Sequence, residues 1–154
     1  MTAPLSDRID RRIAAALVED GRSTLKDLAA KTGLSVSAVQ ARVRKLEADG
    51  VISGYTARID PRSLNLPLAA FIALTPLDPD HEYDIPDLLA DLPEIEACHS
   101  VAGEASFVLY VRVAAPTDLE ELIREIRRRA KATTTTTVVL QTFYEQRPHP
   151  LPSQ

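Results

Sequence analysis

The sequence has few of the features that mark secreted or membrane-bound proteins. Its 154 residues include one cysteine, Cys98, which cannot form an internal disulfide, so a disulfide-stabilised secreted scaffold is excluded. No apolar run approaches the ~18 residues of a membrane-spanning helix. Residues 1–10 also lack the positively charged start and apolar stretch of a signal peptide. We therefore expect a protein of the reducing cytoplasm.

The residues of common catalytic sites are equally sparse. The three histidines are scattered, and Cys98-His99 cannot act as nucleophile and base because adjacent strand residues point to opposite faces. The sequence has no zinc-ligand spacing, phosphate-binding loop or glycine-rich dinucleotide motif. We expect no enzyme activity, no cofactor and no metal site.

What the sequence does contain is the composition of a folded protein, with its charge unevenly divided. Hydrophobic residues make up 45% and charged residues 26%. The net charge of −4 combines +2 over residues 1–60 with −6 over the remainder, so the acidic total does not exclude nucleic acid. We predict an N-terminal domain over 1–60, a linker over 61–66, a second domain over 67–146 and a disordered tail over 147–154.

The first domain has the pattern of three helices and a strand. We predict a first helix that is capped by Ser6 and ends before Gly21, and a second that begins at Ser23 or Thr24 and stops at Thr32-Gly33. The third helix is capped by Ser35 and covers 36–49. A strand follows over 52–59. Two short helices joined by a glycine-containing turn are typical of a helix-turn-helix, and the strand makes it winged.

The third helix has an apolar stripe and an opposite face that is small first and basic further along. Its stripe consists of Val36, Val39, Val43 and Leu46, while Ser37, Ala41, Arg44 and Lys45 face outward with Gln40 and Arg42 at the flanks. A helix that enters the DNA major groove needs close approach at its first turns and cations near phosphates. The alternatives are a solvated basic face or a winged helix that docks protein.

These residues carry a resemblance to a known family. Gly33-Leu34-Ser35, the run from Val39 to Ile52, Gly54-Tyr55 and Asp60-Pro61 resemble the leucine-responsive and asparagine regulator (Lrp/AsnC) family of bacterial transcription factors. The resemblance covers residues 6–144 and implies a groove-facing set of Ser37, Ala38, Gln40, Ala41, Arg44 and Lys45. The predicted DNA-binding residues also include Ser35 and Arg42. Arg42 either holds a phosphate or pairs with an acidic neighbour such as Glu47.

The second domain has the order β-α-β-β-α-β of a ferredoxin-like sheet, which makes the fold class α+β. We predict strands over 68–76, 95–101, 107–113 and 134–144, one helix over 85–92 and another capped by Thr117 with Glu120. The basic run 127–131 indicates the end of that helix. Because the strands are apolar in both directions, the sheet face without helices needs cover, and we expect a homodimer.

The resemblance implies that this second domain also binds an amino-acid effector and assembles dimers further, often to octamers. Candidate effector residues are the turn Gly103, Glu104, Ala105, Ser106 and Phe107, with Thr134 and Thr136 on the last strand. By themselves these residues equally suit an ordinary hairpin turn and an ordinary strand. Ala105 stands where the family usually has an aromatic residue and Ser106 where it has aspartate. Three alternatives follow: Glu104 supplies the missing carboxylate, the effector differs from those common in the family, or no effector binds. Our hypothesis is that the pocket is present and has an altered specificity.

The sequence therefore predicts a sequence-specific DNA-binding transcriptional regulator that responds to a small amino acid. Its expected partners are double-stranded DNA, the effector and further copies of itself, with no membrane. The alternative is an oligomeric metabolite-binding protein whose N-terminal domain binds protein rather than DNA.

Overall fold

The computed structural model describes residues 5–145 and Arg147, and it divides into two compact units. The chain up to Arg58 forms one unit, with which Tyr144 and Glu145 group, and Ile59–Phe143 forms the other. The predicted linker 61–66 contains a single 3₁₀ turn, Pro61–Leu64. The tail for which we predict disorder lies, apart from Arg147, outside the described residues.

Three helices build the N-terminal unit: α1 (Arg8–Glu19), α2 (Leu25–Thr32) and α3 (Val36–Ala48). Their apolar stripes meet in one core, in which Ile13, Leu28 and Val39 are almost fully buried. The N-cap of α1 is Asp7 and not Ser6, because the Asp7 carboxylate accepts from two backbone N–H groups of the first turn.

The turn between α2 and α3 follows the sequence prediction closely. Thr24 and Asp27 form a capping box at the start of α2. Gly33 ends α2 with φ 74°, a left-handed conformation that favours glycine. The Ser35 hydroxyl then caps α3 by accepting from the Ala38 N–H. These local signals fix the helix-turn-helix.

Two further predictions for the N-terminal unit are wrong. Val36 was predicted to lie in the apolar stripe, but it is 43% exposed because the first turn of α3 extends beyond the core. The predicted strand Ile52–Ile59 is not formed, since no described strand of this chain supplies the neighbouring backbone that a strand requires. Ile52 instead packs on the helical core, and Ile59 is exposed.

The C-terminal unit is a four-stranded antiparallel sheet with helices on one face. Its strands stand in the order β2-β3-β1-β4, which is the ferredoxin-like arrangement predicted. The elements along the chain are β1 (Leu68–Pro76), α4 (Ile85–Leu89), β2 (Ile95–Ser100), β3 (Phe107–Val113), α5 (Pro116–Ala130) and β4 (Ala132–Val138).

The core of this unit lies between the sheet and its two helices. Ile72 and Leu74 of β1, with Leu109 and Val111 of β3, are fully buried and belong to the same cluster as Ile126 of α5. The alternating burial along β3 shows that one side of each strand faces the helices. Among the described elements of this unit, both helices pack on that side and none on the other.

Several predicted element ends differ in the structure. α4 stops at Leu89, earlier than predicted, and a 3₁₀ turn over 79–84 precedes it. α5 is capped at Ala115, whose N–H donates to the Asp118 carboxylate at 3.0 Å, so Thr117 and Glu120 do not form the predicted capping box. β2 ends one residue early, at Ser100. β4 ends at Val138 and not Tyr144, because the register has by then reached Ala70, near the beginning of β1.

Candidate nucleic-acid interface and effector site

One face of α3 is exposed to solvent, and its short and basic side chains follow each other in the order that the sequence predicted. Six of the eight predicted DNA-binding residues are exposed, while Ala38 and Arg42 are half-buried and Val39 and Leu46 turn into the core; the exposed residues are Ser35, Ser37, Gln40, Ala41, Arg44 and Lys45. The first turns thus present short side chains and the later turns present cations. Within the described part of the chain, Arg44 and Lys45 form no ion pair.

The start of α3 is fixed by two hydroxyl groups. Ser35 is exposed; its Oγ accepts from the Ala38 N–H and lies 3.2 Å from the Ser37 Oγ. Ser35 therefore holds the backbone of the first turn. A contact of either serine with DNA stays a prediction.

Arg42 has an acidic partner, but on α1 and not on α3. Its Nη1 donates to Asp10 Oδ1 at 2.6 Å and to Asp7 Oδ1 at 3.2 Å. The hydrogen bond to Asp10 raises the pKa of Arg42. The N–H of Asp10 is the largest cause that lowers the pKa of Asp7, and Arg42 adds to it. Of the two alternatives for Arg42, the structure shows the ion pair.

Glu47, the acidic partner named from the sequence, is engaged elsewhere. Its Oε1 accepts from the Tyr55 hydroxyl at 3.0 Å. Burial of the hydroxyl raises the pKa of Tyr55, and Glu47 raises it further. Sequence reasoning missed Asp7 and Asp10, although two carboxylates three residues apart on the first turn of a helix share a face.

The register of β4 separates the threonines into two sets. Thr134 lies opposite Leu74 and Thr136 opposite Ile72, so both predicted effector residues are on the side of the sheet that faces the helices. Thr134 Oγ1 accepts from Arg127 Nε at 2.7 Å. The odd-numbered threonines Thr133, Thr135 and Thr137 are exposed on the open face, a set that the sequence reasoning did not single out.

The turn 101–106 contains four of the five predicted effector residues of 103–107 and is hydrogen-bonded to the end of β1, while Phe107 begins β3. The Ser106 N–H donates to the Leu74 carbonyl at 3.0 Å, and Thr75 Oγ1 donates to the Glu104 carbonyl at 3.4 Å. A Cβ added to Gly103 would meet no atom within 4 Å, so the backbone here borders open space. Thr133 reaches the same strand end, since its hydroxyl donates to the Thr75 carbonyl at 3.3 Å.

Two cavities of the C-terminal unit are lined by residues outside that turn. One of about 330 Å³ is lined by Asp78, Asp84, Leu88, Arg129, Ala130 and Lys131. Another of about 300 Å³ is lined by Leu92, Glu94, Asp118, Glu121, Leu122 and Glu125. Neither includes any of the predicted effector residues. The turn and the two threonines therefore do not enclose either of these cavities within one chain.

The open face of the sheet carries an aromatic pair. The rings of Phe71 and Tyr110 lie 5.0 Å apart between centroids, and Phe71 is 45% exposed. Arg112 donates to the Tyr110 hydroxyl at 2.8 Å and to Glu96 at 2.9 Å. The face thus has an apolar centre with a charged group at its edge.

The described residues offer neither a metal site nor a membrane-spanning helix. Among the described residues, no group of three or more histidine, cysteine or acidic side chains is placed to hold a metal ion. No described helix is long and apolar enough to cross a membrane. Cys98 lies opposite Leu109 and His99 opposite Val108, so the two side chains point to different faces, and partial burial raises the pKa of the thiol.

Comparison with known proteins agrees with this arrangement. Residues 6–53 match a winged helix-turn-helix DNA-binding family, and residues 69–149 match the Lrp/AsnC ligand binding domain. The HTH-type transcriptional regulator LrpA of Mycobacterium tuberculosis is 52% identical over 143 residues, which cover 93% of this chain and 95% of that protein.

Solved structures show the same fold over nearly the whole chain. A feast or famine regulatory protein of M. tuberculosis complexed with L-methionine is 51% identical, with a TM-score of 0.91 over 95% of this chain and 99% of that one. A transcriptional regulator/L-Met complex from Neisseria meningitidis is 26% identical, with a TM-score of 0.86 over 94% and 96% of the two chains. The helix-turn-helix, the ferredoxin-like sheet and these similarities together establish that the chain belongs to the Lrp/AsnC family of transcriptional regulators.

Proposed function

We propose that this protein is a sequence-specific DNA-binding regulator that reads the major groove with α3. The observation that carries the proposal is the exposed face of α3, where Ser37 and Ala41 allow close approach and Arg44 and Lys45 supply cations without acidic partners in the described structure. The short side chains of the first turns let the helix come close enough for base edges to be read, whereas long basic side chains reach the phosphates. Arg42, which already binds two carboxylates, lies outside this reading set.

Affinity for DNA comes from several copies of the reading domain. The N-terminal 60 residues carry a net charge of only +2, so one copy neutralises few phosphates. Linking copies converts the second contact into an intramolecular one and raises the overall affinity. We propose that the open face of the sheet, with Phe71 and Tyr110 at its centre, joins two chains in a homodimer that assembles further, up to an octamer.

The effector is an amino acid bound at the turn 101–106. The open space around Gly103 lets a ligand approach the backbone, and residues of a second chain complete the pocket. L-methionine is the first candidate, because two similar regulators form complexes with it. Ser106 is a weaker partner for an ammonium group than a carboxylate would be, so the affinity differs from that of relatives with aspartate there.

Coupling between the two domains follows differential affinity. An effector that binds at contacts between subunits favours one assembly geometry, and that geometry changes the spacing between the reading helices. The proposed function also places the chain in the cytoplasm, where bacterial DNA is found.

The proposal is tested by measuring binding to DNA from the protein's own promoter over a range of salt concentrations. We expect a sequence-specific complex that weakens steeply with salt and is weakened by Arg44→Ala and Lys45→Ala. Arg124→Ala is the matched control, because it removes one exposed positive charge from α5. If the variant that combines Arg44→Ala with Lys45→Ala binds DNA as tightly as the wild type does, α3 is not the helix that reads DNA. If the wild type does not bind DNA, the alternative of a protein-binding N-terminal domain takes its place.

The effector is tested by calorimetric titration and thermal shift with each of the twenty amino acids. We expect heat and a raised unfolding temperature for at least one of them. The absence of both for all twenty would contradict an amino-acid effector.

A further inference from the structure

The basic residues of α3 have two different environments. Arg44 and Lys45 are exposed, whereas the side chain of Arg42 is 33% exposed and its Nη1 lies within 3.2 Å of two carboxylate oxygens. Among the described residues, Asp10 is the only charged residue that is buried, and it receives the shorter of the two contacts. A buried carboxylate is retained where a cation compensates for its lost hydration.

The partners of Arg42 are themselves part of the first turn of α1. Asp7 is the N-cap of that helix, and the oxygen that contacts Arg42 also accepts from the N–H groups of Ile9 and Asp10. A single guanidinium group therefore joins the middle of α3 to the beginning of α1. The core contacts of Val39 and Leu46 hold the two helices together but are not directional.

We infer that Arg42 is a positioning residue that sets the rotation of α3 and thereby the aim of its exposed face, without contacting DNA itself. The inference rests on the proposed function and deepens it, because it separates Arg44 and Lys45, which contact DNA, from Arg42, which orients the helix that carries them. It also assigns a role in DNA recognition to Asp7 and Asp10, two acidic residues that DNA would repel.

The sign of the effect at Asp10 separates this role from a phosphate contact. If Asp10 merely withheld Arg42 from the phosphates, Asp10→Asn would free the guanidinium, remove a negative charge and strengthen DNA binding. If the pair positions α3, the same substitution loosens the helix and weakens binding, although the protein has become more positive.

The slope of binding against salt gives a second, independent distinction. The logarithm of the association constant for DNA falls linearly with the logarithm of the salt concentration, and each phosphate contact that is lost makes this slope less steep by about 0.9. Arg44→Ala should therefore lower both the affinity and the slope. Arg42→Ala should lower the affinity by about fivefold or more, within the range of coupling between residues in contact, and leave the slope unchanged.

The experiment measures DNA affinity by fluorescence anisotropy at five or more salt concentrations for the wild type, Arg42→Ala, Arg42→Lys, Asp10→Asn and Arg44→Ala, with circular dichroism of each variant. Weaker binding by Asp10→Asn, an unchanged slope for Arg42→Ala and partial recovery by Arg42→Lys are the expected results. Asp10→Asn keeps the size of the side chain, so it carries the test if Arg42→Ala fails to fold.

A slope that falls in Arg42→Ala as it does in Arg44→Ala, or tighter binding by Asp10→Asn, would overturn the positioning role while leaving the proposed function intact. Absence of DNA binding by the wild type would instead overturn the proposed function, and the positioning role with it.

Discussion

Phe71 on β1 packs against Tyr110 on β3 with the two rings tilted by 41° and 5.0 Å between their centroids, on the face of the sheet that the helices leave open. The two residues are directly opposite each other in the antiparallel register, where aromatic pairs stabilise a sheet. Nearly half of the Phe71 surface remains accessible. An exposed aromatic pair at the centre of a sheet is typical of a face that another chain covers.

Phe71→Asp is expected to convert the protein from an oligomer to a monomer. A carboxylate at the centre of the open face would be buried without a partner in a dimer, whereas in a monomer it stays in water. Size-exclusion chromatography with light scattering measures the mass directly. Val18→Asp is the matched control, because Val18 is 51% exposed on α1 of the other unit. A dimeric Phe71→Asp variant would show that this face is not the interface.

Gly33→Ala is expected to destabilise the N-terminal unit by about 1–2 kcal/mol, the cost of a left-handed conformation for a residue with a Cβ. The φ of Gly33 is 74° and no atom lies within 4 Å of an added Cβ, so the backbone is the sole source of strain. Thermal or urea unfolding measures the loss. Gly21→Ala is the control, since an added Cβ there has only an ordinary contact with the Leu17 carbonyl. Equal stability of the two variants would contradict the expectation.

Glu125 is expected to contribute to stability only above acidic pH. Hydrogen bonds from Arg128 and then Arg129 lower the pKa of Glu125 from 4.5 to about 2. The unfolded chain therefore takes up a proton near pH 4.5 while the folded chain does not, and the contribution disappears as the pH falls towards 2.

The measurement is the unfolding temperature of the wild type and of Glu125→Gln between pH 2 and pH 6. The wild type should be the more stable at pH 6, and the difference should shrink towards pH 2. Glu120→Gln is the control, because its pair with Arg124 is about 70% exposed at both side chains and contributes little. A difference that is independent of pH would contradict the assigned cause.

Ser106→Asp is expected to bind L-methionine more tightly than the wild type does. A carboxylate at this position would pair with the ammonium group of the ligand through a charge-assisted hydrogen bond, about twice as strong as one from a hydroxyl. Isothermal titration calorimetry measures the affinity. Glu104→Gln tests whether the neighbouring carboxylate already has this role, in which case that variant binds more weakly. Equal affinity of all three proteins would place the ammonium group elsewhere.

The second helix and the turn after it were predictable because their causes are local. Gly33 and Ser35 specify the turn and the cap from their own chemistry. The first strand was predicted to the residue, since a near-continuous apolar run between Pro67 and Pro76 has few other solutions. The ends of elements were less predictable. β4 ends at Val138, which lies opposite Ala70 near the beginning of β1, and this end depends on the register between the two strands.

The candidate site was predictable in part for the same reason. The exposed face of α3 follows from helical periodicity, and the structure exposes Ser37, Arg44 and Lys45 as expected. Thr134 and Thr136 were chosen as hydroxyl groups that could bind an effector, and the sequence does not show which face of an edge strand each threonine occupies. The register turns both threonines toward the helices and leaves the odd-numbered ones in the open.

By itself the sequence determined the family, the order of the elements and the cations that α3 exposes, because these depend on spacing along the chain. Only the tertiary structure decided which cation of α3 is ion-paired: Arg42 contacts Asp7 and Asp10, which lie 35 and 32 residues away in the sequence. Ion pairs between distant residues depend on how helices pack, whereas spacing along the chain suggested only Glu47, five residues further along the same helix.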